Sequence, residues 1–469
     1  MNDLYSKARI SRNRNFDGQF YFGVKSTGIF CRPSCPAPTA KEENVVYFNS
    51  MFEALEQGFT PCYRCRPDLE TEYYSGNAEG SRCVTAALEM IGNGFLNSRS
   101  VAELAAANHV SERHLRRLFL EHIGASPARV GIYHRAIFAK KLIVGTKRSF
   151  SEIASAAGFR SLRQFNDVVR RLFGRTPSGI RKLLCTPAPE AVFLLKYRGP
   201  FCFSQLLEFM RPRAIPGVEA VTDRTYARTF QDEFGAGFFS VEDEPEASRL
   251  RLTVDCDDLR SCMNLCNRVR RMFDLSADME KIAEVLGNDP LLFDGVPLIP
   301  RLPVAFDPFE FIVRAILGQQ ITVKAAATFA GRIVEVAGLR CGNAGSLFPN
   351  PAQFLRLDLS RIGIVRARQE TLRTVAGMVF DGELNLSANQ TFDAFRSRFL
   401  TVRGIGEWTV NYVAMRALGM RDCFPASDLG ILKAMARDGL RRTPAEILRI
   451  AERWRPYRSH AALCLWRKV

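Results

Sequence analysis

A glycine hairpin followed at a set distance by a carboxylate constrains this chain more than any other stretch. Val402-Arg403-Gly404-Ile405-Gly406 leads directly into a run of helical spacing, and Asp428 follows Trp408 by twenty residues. Glycine accepts backbone angles that other residues resist. Gly404 and Gly406 therefore predict two helices meeting across a tight turn. The amides opening the second helix point outward and suit a phosphate. Asp428 falls in a loop marked by Pro425 and Ser427 and stands before Leu429-Gly430-Ile431-Leu432. That position suits a helix N-cap.

A chain of 469 residues implies three or four domains, and 47% hydrophobic residues supply real cores. The net charge of +16 points to a polyanionic partner. The charge is uneven: residues 71–185 hold 18 Lys/Arg against 8 Asp/Glu. No apolar run is long enough to span a membrane, and Met1-Asn2-Asp3-Leu4 does not open a signal peptide, so a cytoplasmic location is expected. Thirteen cysteines, an odd number with four in close pairs, argue against a disulfide framework.

Those pairs are Cys31-Arg32-Pro33-Ser34-Cys35 and Cys62-Tyr63-Arg64-Cys65, separated by 26 residues. Each can place two thiolates on one ion, and four thiolates suit tetrahedral Zn2+. Pro33, Pro36 and Pro38 predict an extended loop around the first pair. Spacing alone leaves a structural zinc site and a reactive one open.

Residues 80–185 contain one pattern twice. Val101–Phe119 and Phe150–Phe173 each read as a short amphipathic helix, a turn, a serine N-cap (Ser111, Ser161) and a basic second helix. Candidate DNA contacts are Arg113, His114, Arg116 and Arg117 in the first copy, and Arg160, Arg163, Gln164 and Asn166 in the second. Leu115, Leu118, Phe119, Phe165 and Phe173 read as core, while Arg170 and Arg171 read as a solvated face or phosphate contacts.

Cys185–Glu190 reads as a linker. Beyond it, Ala191–Tyr197 and Leu250–Val254 read as strands, and Phe203–Met210 and Leu259–Leu275 as helices, an α+β part. Cys256, Cys262 and Cys266 read as buried thiols, the last two on one helix face. From 296 onward the periodicity is helical, clearest at 309–317, 323–337, 372–379, 391–400, 407–418 and 445–454.

The hairpin, Trp408, Asn411-Tyr412, Asp428 and the tail Arg453-Trp454-Arg455-Pro456-Tyr457-Arg458-Ser459 together resemble the helix-hairpin-helix DNA glycosylases, and among them the bacterial 3-methyladenine DNA glycosylase II (AlkA) family. Tyr197–Met210, Val218-Glu219 and Tyr226-Ala227-Arg228 resemble that family's N-terminal domain, with its TATA-binding-protein-like sheet. The resemblance implies monofunctional hydrolysis of the N-glycosidic bond of an alkylated purine, with Asp428 as the catalytic carboxylate. Phe209, Trp408, Tyr412 and Trp466 would wall the base pocket; for each, plain core packing is the alternative. Gln320 stands at the position of the wedge that fills the duplex after the base flips out. Gly404 and Gly406 would hold a phosphate, with a bound monovalent cation as the superfamily's device. Three residues depart from the family: Gln320 replaces leucine, Leu429 replaces tyrosine, and Arg403 replaces proline. Glu407-Trp408 stands where strand-cutting relatives carry a lysine, so no β-elimination is expected.

Val24–Cys35 and Pro61–Asp68, with Asp17, Gly18 and Phe20, resemble the N-terminal domain of the Ada family of adaptive-response regulators. The resemblance implies that Cys31 accepts a methyl group from a DNA methylphosphotriester, that Cys35, Cys62 and Cys65 complete the zinc site, and that Thr27 and Arg64 touch DNA. Pro38 stands where that family more often has arginine. The duplicated pattern resembles the AraC-type DNA-binding domain, whose second helices enter successive major grooves about 34 Å apart. No Pro-Cys-His-Arg motif occurs, so O6-methylguanine repair is not expected.

The expected fold is multidomain, mainly α with α+β parts. It runs as a small zinc domain (1–75), an AraC-type double helix-turn-helix (80–185), a TBP-like α+β domain (190–295) and an all-α helix-hairpin-helix glycosylase domain (296–469). The expected function is alkylation repair joined to transcription activation, with double-stranded DNA and RNA polymerase as partners. The rival is a non-enzymatic zinc-containing regulator whose C-terminal half only binds DNA.

Overall fold

The computed structural model describes residues 2–70, 82–184, 190–295, 298–387, 390–436 and 439–469. Most of the expected linker, 185–189, lies outside the described residues. The chain forms two compact units. The first comprises Met1–Arg198, Asp232–Gly235 and Glu244–Asn267; the second comprises Gly199–Gln231, Ala236–Asp243 and Arg268–Val469. No helix among the described residues is long and apolar enough to cross a membrane.

The first unit begins with a four-stranded sheet in the order Val45–Phe48, Tyr21–Val24, Ile29–Cys31, Thr60–Pro61. The last two strands run parallel, with Phe30 opposite Pro61. Strand register thus leaves Cys31 and Cys62 side by side at the strand ends. Aromatic packing backs the sheet: Tyr5 stacks on Phe20 with ring centroids 4.1 Å apart.

The two helix-turn-helix copies follow as Val101–Ala107 with Glu112–Ile123, and Phe150–Ala156 with Leu162–Phe173. Their starts are set by caps. Ser100 and Ser149 form capping boxes with Glu103 and Glu152, and the hydroxyls of Ser111 and Ser161 accept from the amides of His114 and Gln164. Leu115, Phe119, Phe165 and Phe173 are buried and Leu118 is half-buried. The helix Pro127–Gly145 lies between the copies in sequence and is buried on nearly every side, which erases any amphipathic stripe.

His134 sits in that helix with its ring centroid 5.5 Å from that of Phe52, and burial pushes its imidazole down to about 3. An unfolded histidine titrates near 6.5. The unfolded chain therefore binds the proton first, and the stability held above pH 6.5 drains away as pH falls toward 3. Urea midpoints should fall between pH 7.5 and 5, and His134→Leu should flatten that fall.

Strands Ala191–Lys196 and Arg249–Cys256 pair antiparallel in the first unit, close to the expected spans. Strands Glu219–Val221, Thr225–Asp232 and Gly235–Glu244 were not expected. Apart from these and a short antiparallel pair, Arg340–Cys341 with Gly345–Ser346, the second unit is mainly helical around Pro308–Leu317, in which eight of ten residues are buried. The helix expected from 372 begins at Arg366, because its first turn is polar and exposed, with Arg366 paired to Glu370. Arg458–Trp466 escaped the sequence reading for the opposite reason: Ser459 through Leu465 are all buried, so no periodicity shows.

Candidate active site and metal centre

The sulfurs of Cys31, Cys35, Cys62 and Cys65 lie within 4.8 Å of one another, and all four residues are buried. The first pair sits in a turn rather than the expected extended loop, and the second pair sits in a turn as well. The Cys35 amide donates to the Arg32 carbonyl at 3.1 Å, and the Arg66 amide to the Cys62 carbonyl at 2.9 Å. Asp17 holds the first turn by accepting from the amide (3.0 Å) and hydroxyl (2.5 Å) of Ser34.

Four sulfurs this close cannot all ionise alone. Hydrogen bonding with Cys35 pushes Cys31 far up, while hydrogen bonding with Cys31 pulls Cys35 and Cys62 down. Only a cation lets all four be thiolates, and a buried four-sulfur donor set fits zinc. The residues therefore suit one Zn2+ held by Cys31, Cys35, Cys62 and Cys65.

Thr27 and Arg64 are exposed beside this cluster, Thr27 in the turn before strand Ile29–Cys31 and Arg64 between Cys62 and Cys65. Arg113, Arg116 and Arg117 are exposed on the helix Glu112–Ile123. His114 is half-buried, with Nδ1 3.2 Å from Arg117 Nη2. Arg160, Arg163, Gln164 and Asn166 are exposed at the start of the corresponding helix, and the Gln164 side-chain oxygen accepts from the Arg160 amide at 3.2 Å.

In the second unit, a cavity of about 400 Å³ gathers Phe209, Trp408, Tyr412, Asp428 and Trp466. Asp428 caps the helix Leu429–Ala434. Its Oδ1 accepts from the Gly430 amide (2.8 Å), the Ile431 amide (3.2 Å) and the Trp466 indole (2.8 Å); its Oδ2 accepts from the Trp408 indole at 2.8 Å. Cap and cavity-lining carboxylate are the same group. The indole N–H groups aimed at it are a contact that spacing did not reveal.

Trp408 and Tyr412 stack with centroids 5.0 Å apart, as four-residue helical spacing allows, and Tyr412 meets Trp466 edge-on at 6.0 Å. Phe209 also lines the cavity, but Arg213 and Arg416 lie 3.8 and 4.6 Å from its ring centroid. Its π-face is engaged by the protein's own cations. Burial pushes Arg416 down to about 10. A buried ionic cluster completes the lining: Arg228 donates to Glu310 at 2.6 Å, and Arg314 to Glu219 at 3.3 Å. Of this set only Glu310 and Arg314 shared a visible signal, four positions apart in one helix.

Gln320 is exposed in the turn after Pro308–Leu317, at φ 62°. A non-glycine residue in that region is strained, and such strain gathers at functional positions. Its neighbour Gln319 ties the turn to the hairpin, donating to the Gly404 carbonyl at 3.0 Å and the Thr409 hydroxyl at 3.1 Å.

The hairpin glycines differ. Gly404 has φ 89°, and an added Cβ would lie 2.8 Å from Thr371 Oγ1. Gly406 has φ −117° and ψ 176°, extended backbone open to any residue, and a Cβ there meets nothing within 4 Å. The expectation that Gly406 supplies unusual angles is therefore corrected. It caps the helix Glu407–Arg416 without a side-chain bond, and its missing side chain leaves the amide end bare. Gly404→Ala should cost about 1–3 kcal/mol of stability. Gly406→Ala should melt like wild type yet bind an abasic duplex more weakly by fluorescence anisotropy.

Family models match three stretches: "Metal binding domain of Ada" over residues 5–68, "Helix-turn-helix domain" over 104–183, and "AlkA N-terminal domain" over 192–307. A Mycobacterium tuberculosis protein described as "Probable bifunctional transcriptional activator/DNA repair enzyme AlkA" is 37% identical over 98% of this chain and 95% of its own length. DNA-3-methyladenine glycosylase 2 of Escherichia coli is 30% identical over 59% of this chain and 96% of its own. The solved 3-methyladenine DNA-glycosylase of Archaeoglobus fulgidus shares the fold, with a TM-score of 0.51 and 21% identity over 58% of this chain and 97% of its own. With a relative at 37% identity matched almost end to end, the chain belongs to the family of bifunctional transcriptional activator/DNA repair enzymes that join Ada-type metal-binding and helix-turn-helix parts to an AlkA-type part.

Proposed function

We propose that this chain hydrolyses the N-glycosidic bond of alkylated purines in double-stranded DNA at Asp428. It also takes a methyl group from a DNA methylphosphotriester onto Cys31, which turns on sequence-specific transcription. The observation that carries the first activity is a carboxylate gripped by four N–H donors in an aromatic-walled cavity. The four parts assigned to these tasks are residues 1–75, 80–185, 190–295 and 296–469.

The glycosidic bond is out of reach inside a duplex, so the nucleotide must flip out. Gln320, exposed at the tip of its turn, fills the gap it leaves. The bare amides at Gly404–Gly406 hold a backbone phosphate, with a monovalent cation as an added bridge. An N-alkylated purine is cationic, and the faces of Trp408, Tyr412 and Trp466 attract it by about 0.5–2 kcal/mol each. As the bond to the base breaks, positive charge gathers on the sugar. Asp428 faces that charge and orients the attacking water. Its oxygens are already hydrogen-bonded, which suits a fixed anion better than a covalent nucleophile. Duplex methylated with an alkylating agent should release N-alkylpurine on incubation with the protein, counted by chromatography. No release above the buffer control would refute the reading.

At the other site, zinc when bound keeps the four sulfurs as thiolates. The Cys31 sulfur attacks the methyl carbon, the S–C bond forms, the C–O bond breaks, and a phosphodiester anion leaves. The cluster loses one negative charge, so its repulsion of the DNA backbone falls and affinity rises. Arg64 and Thr27 flank the attack, and the basic helices bearing Arg113, Arg116, Arg117, Arg163 and Gln164 read the promoter. RNA polymerase is the protein partner of the activated form, and the cytoplasm is the compartment that keeps these thiols reduced.

Incubation with methylphosphotriester DNA should add about 14 Da, one methylene, to the peptide carrying Cys31. Cys31→Ser should abolish the gain, and chelation of zinc beforehand should abolish it too. A methyl found on Cys35, Cys62 or Cys65 would reassign the acceptor.

A further inference from the structure

Outside both sites lies a second thiol pair. The strand Arg249–Cys256 ends in a short turn, and the helix Ser261–Met272 begins directly after it. The turn brings Cys262 back to Cys256, with the sulfurs 3.8 Å apart. The sequence groups Cys256, Cys262 and Cys266 as buried thiols, with the last two on one helix face; Cys262 and Cys266 are buried, whereas Cys256 is half-buried. Folding places the nearer partner on a different element.

The two thiols differ in exposure and acidity. Cys256 is half-buried, and its thiol donates to the Asp258 carbonyl oxygen at 3.4 Å. Cys262 is fully buried in the first turn of its helix. The hydrogen bond from Cys262 holds Cys256 below the ordinary thiol value, against burial and the nearby charge of Asp232 and Asp255; Arg148 assists. The same hydrogen bond, then burial, pushes Cys262 well above it. The accessible sulfur is thus Cys256, and the buried Cys262 stands 3.8 Å behind it. That is the arrangement of a reactive cysteine beside a resolving one.

We propose that Cys256 and Cys262 form a reversible redox site, closing to a disulfide when the protein meets hydrogen peroxide. The Cys256 thiolate attacks one peroxide oxygen; the S–O bond forms, the O–O bond breaks, and hydroxide leaves and takes up a proton as water. The Cys262 sulfur then attacks the Cys256 sulfur. The S–S bond forms, the S–O bond breaks, and the departing hydroxyl carries off the Cys262 proton as a second water. Two thiols are oxidised and one hydrogen peroxide is reduced. The sulfurs must close from 3.8 Å to about 2.05 Å, a movement that the connecting turn supplies. A dithiol reductant reverses the bond by exchange.

The test uses the full-length, zinc-loaded protein. It is treated with hydrogen peroxide, alkylated, digested with trypsin without reduction, and analysed by mass spectrometry. Trypsin releases Cys256 within Leu252–Arg260, and Cys262 with Cys266 within Ser261–Arg268. The expected product is these two peptides joined and lighter by two hydrogens, separated by dithiothreitol, and formed equally in Cys266→Ser. Cys262→Ser should instead leave a dimedone-reactive sulfenic acid on Cys256. A bond within Ser261–Arg268, overoxidation of Cys256 without linkage, or no change in either peptide would overturn the proposal. Zinc release measured in parallel separates this event from oxidation of the four-cysteine cluster.

Discussion

Asp428→Asn should lower the rate constant for release of alkylated purine by about 10²–10³-fold, the usual loss when a fixed group facing transition-state charge is neutralised. Asparagine is as good an N-cap as aspartate. Its oxygen can keep the Gly430, Ile431 and Trp466 donors that Oδ1 now accepts. Its amide then faces the Trp408 indole N–H, which contacts Oδ2 at 2.8 Å, so one donor loses its acceptor. That local mismatch costs about 1–3 kcal/mol, far less than a whole fold, and the melting curve should show a modest shift. Single-turnover release from methylated duplex measures the chemical step, and affinity for an abasic duplex should hold. Equal release by variant and wild type would remove Asp428 from the chemistry and leave it as a cap.

Lys140→Met should unfold much of the first unit at moderate temperature. Lys140 and Asp68 form an ion pair at 2.6 Å with both side chains fully buried. The ammonium also lies 4.7 Å from the Tyr63 ring centroid and 4.5 Å from that of Phe173, and the Tyr63 hydroxyl donates to the Phe173 carbonyl at 2.7 Å. Asp68 Oδ1 has no hydrogen-bond partner among the described residues. Removing the lysine therefore strands a buried carboxylate, at a cost of about 3–5 kcal/mol. Lys140→Met with Asp68→Leu should recover most of that loss, because a buried pair contributes little net stability over apolar replacements. Circular dichroism reports the melt. Tyr63 and Asp68 flank Cys65 in sequence, so zinc should also leave the single variant faster under a chelator. An unchanged melting temperature in Lys140→Met would show that water reaches the pair.

Residues close in the chain announced themselves through period and spacing. The caps at Ser111 and Ser161, the helix Val323–Ala337, the four cysteines and the step from Trp408 to Tyr412 all stand as local patterns. Each rests on interactions within a turn or two of helix or on a short metal-ligand spacing, and such interactions leave a periodic trace.

What folding decided is who meets whom across long loops. The indoles of Trp408 and Trp466 reach Asp428 from 20 and 38 residues away, and Arg228 finds Glu310 across 82. Cys256 meets Cys262 only because a turn folds back, and Lys140 meets Asp68 across 72 residues. Gly406 shows the same limit in reverse: its letter suggested a bent backbone, yet its φ is ordinary and the bare space in front of its amide is what glycine provides. Residue types and spacing along the chain determined that thiolates would cluster, that serines would start helices and that a carboxylate would follow a hairpin. Partners distant in sequence were decided by tertiary packing, because burial and hydrogen-bond pairing depend on position in space, which no local period encodes.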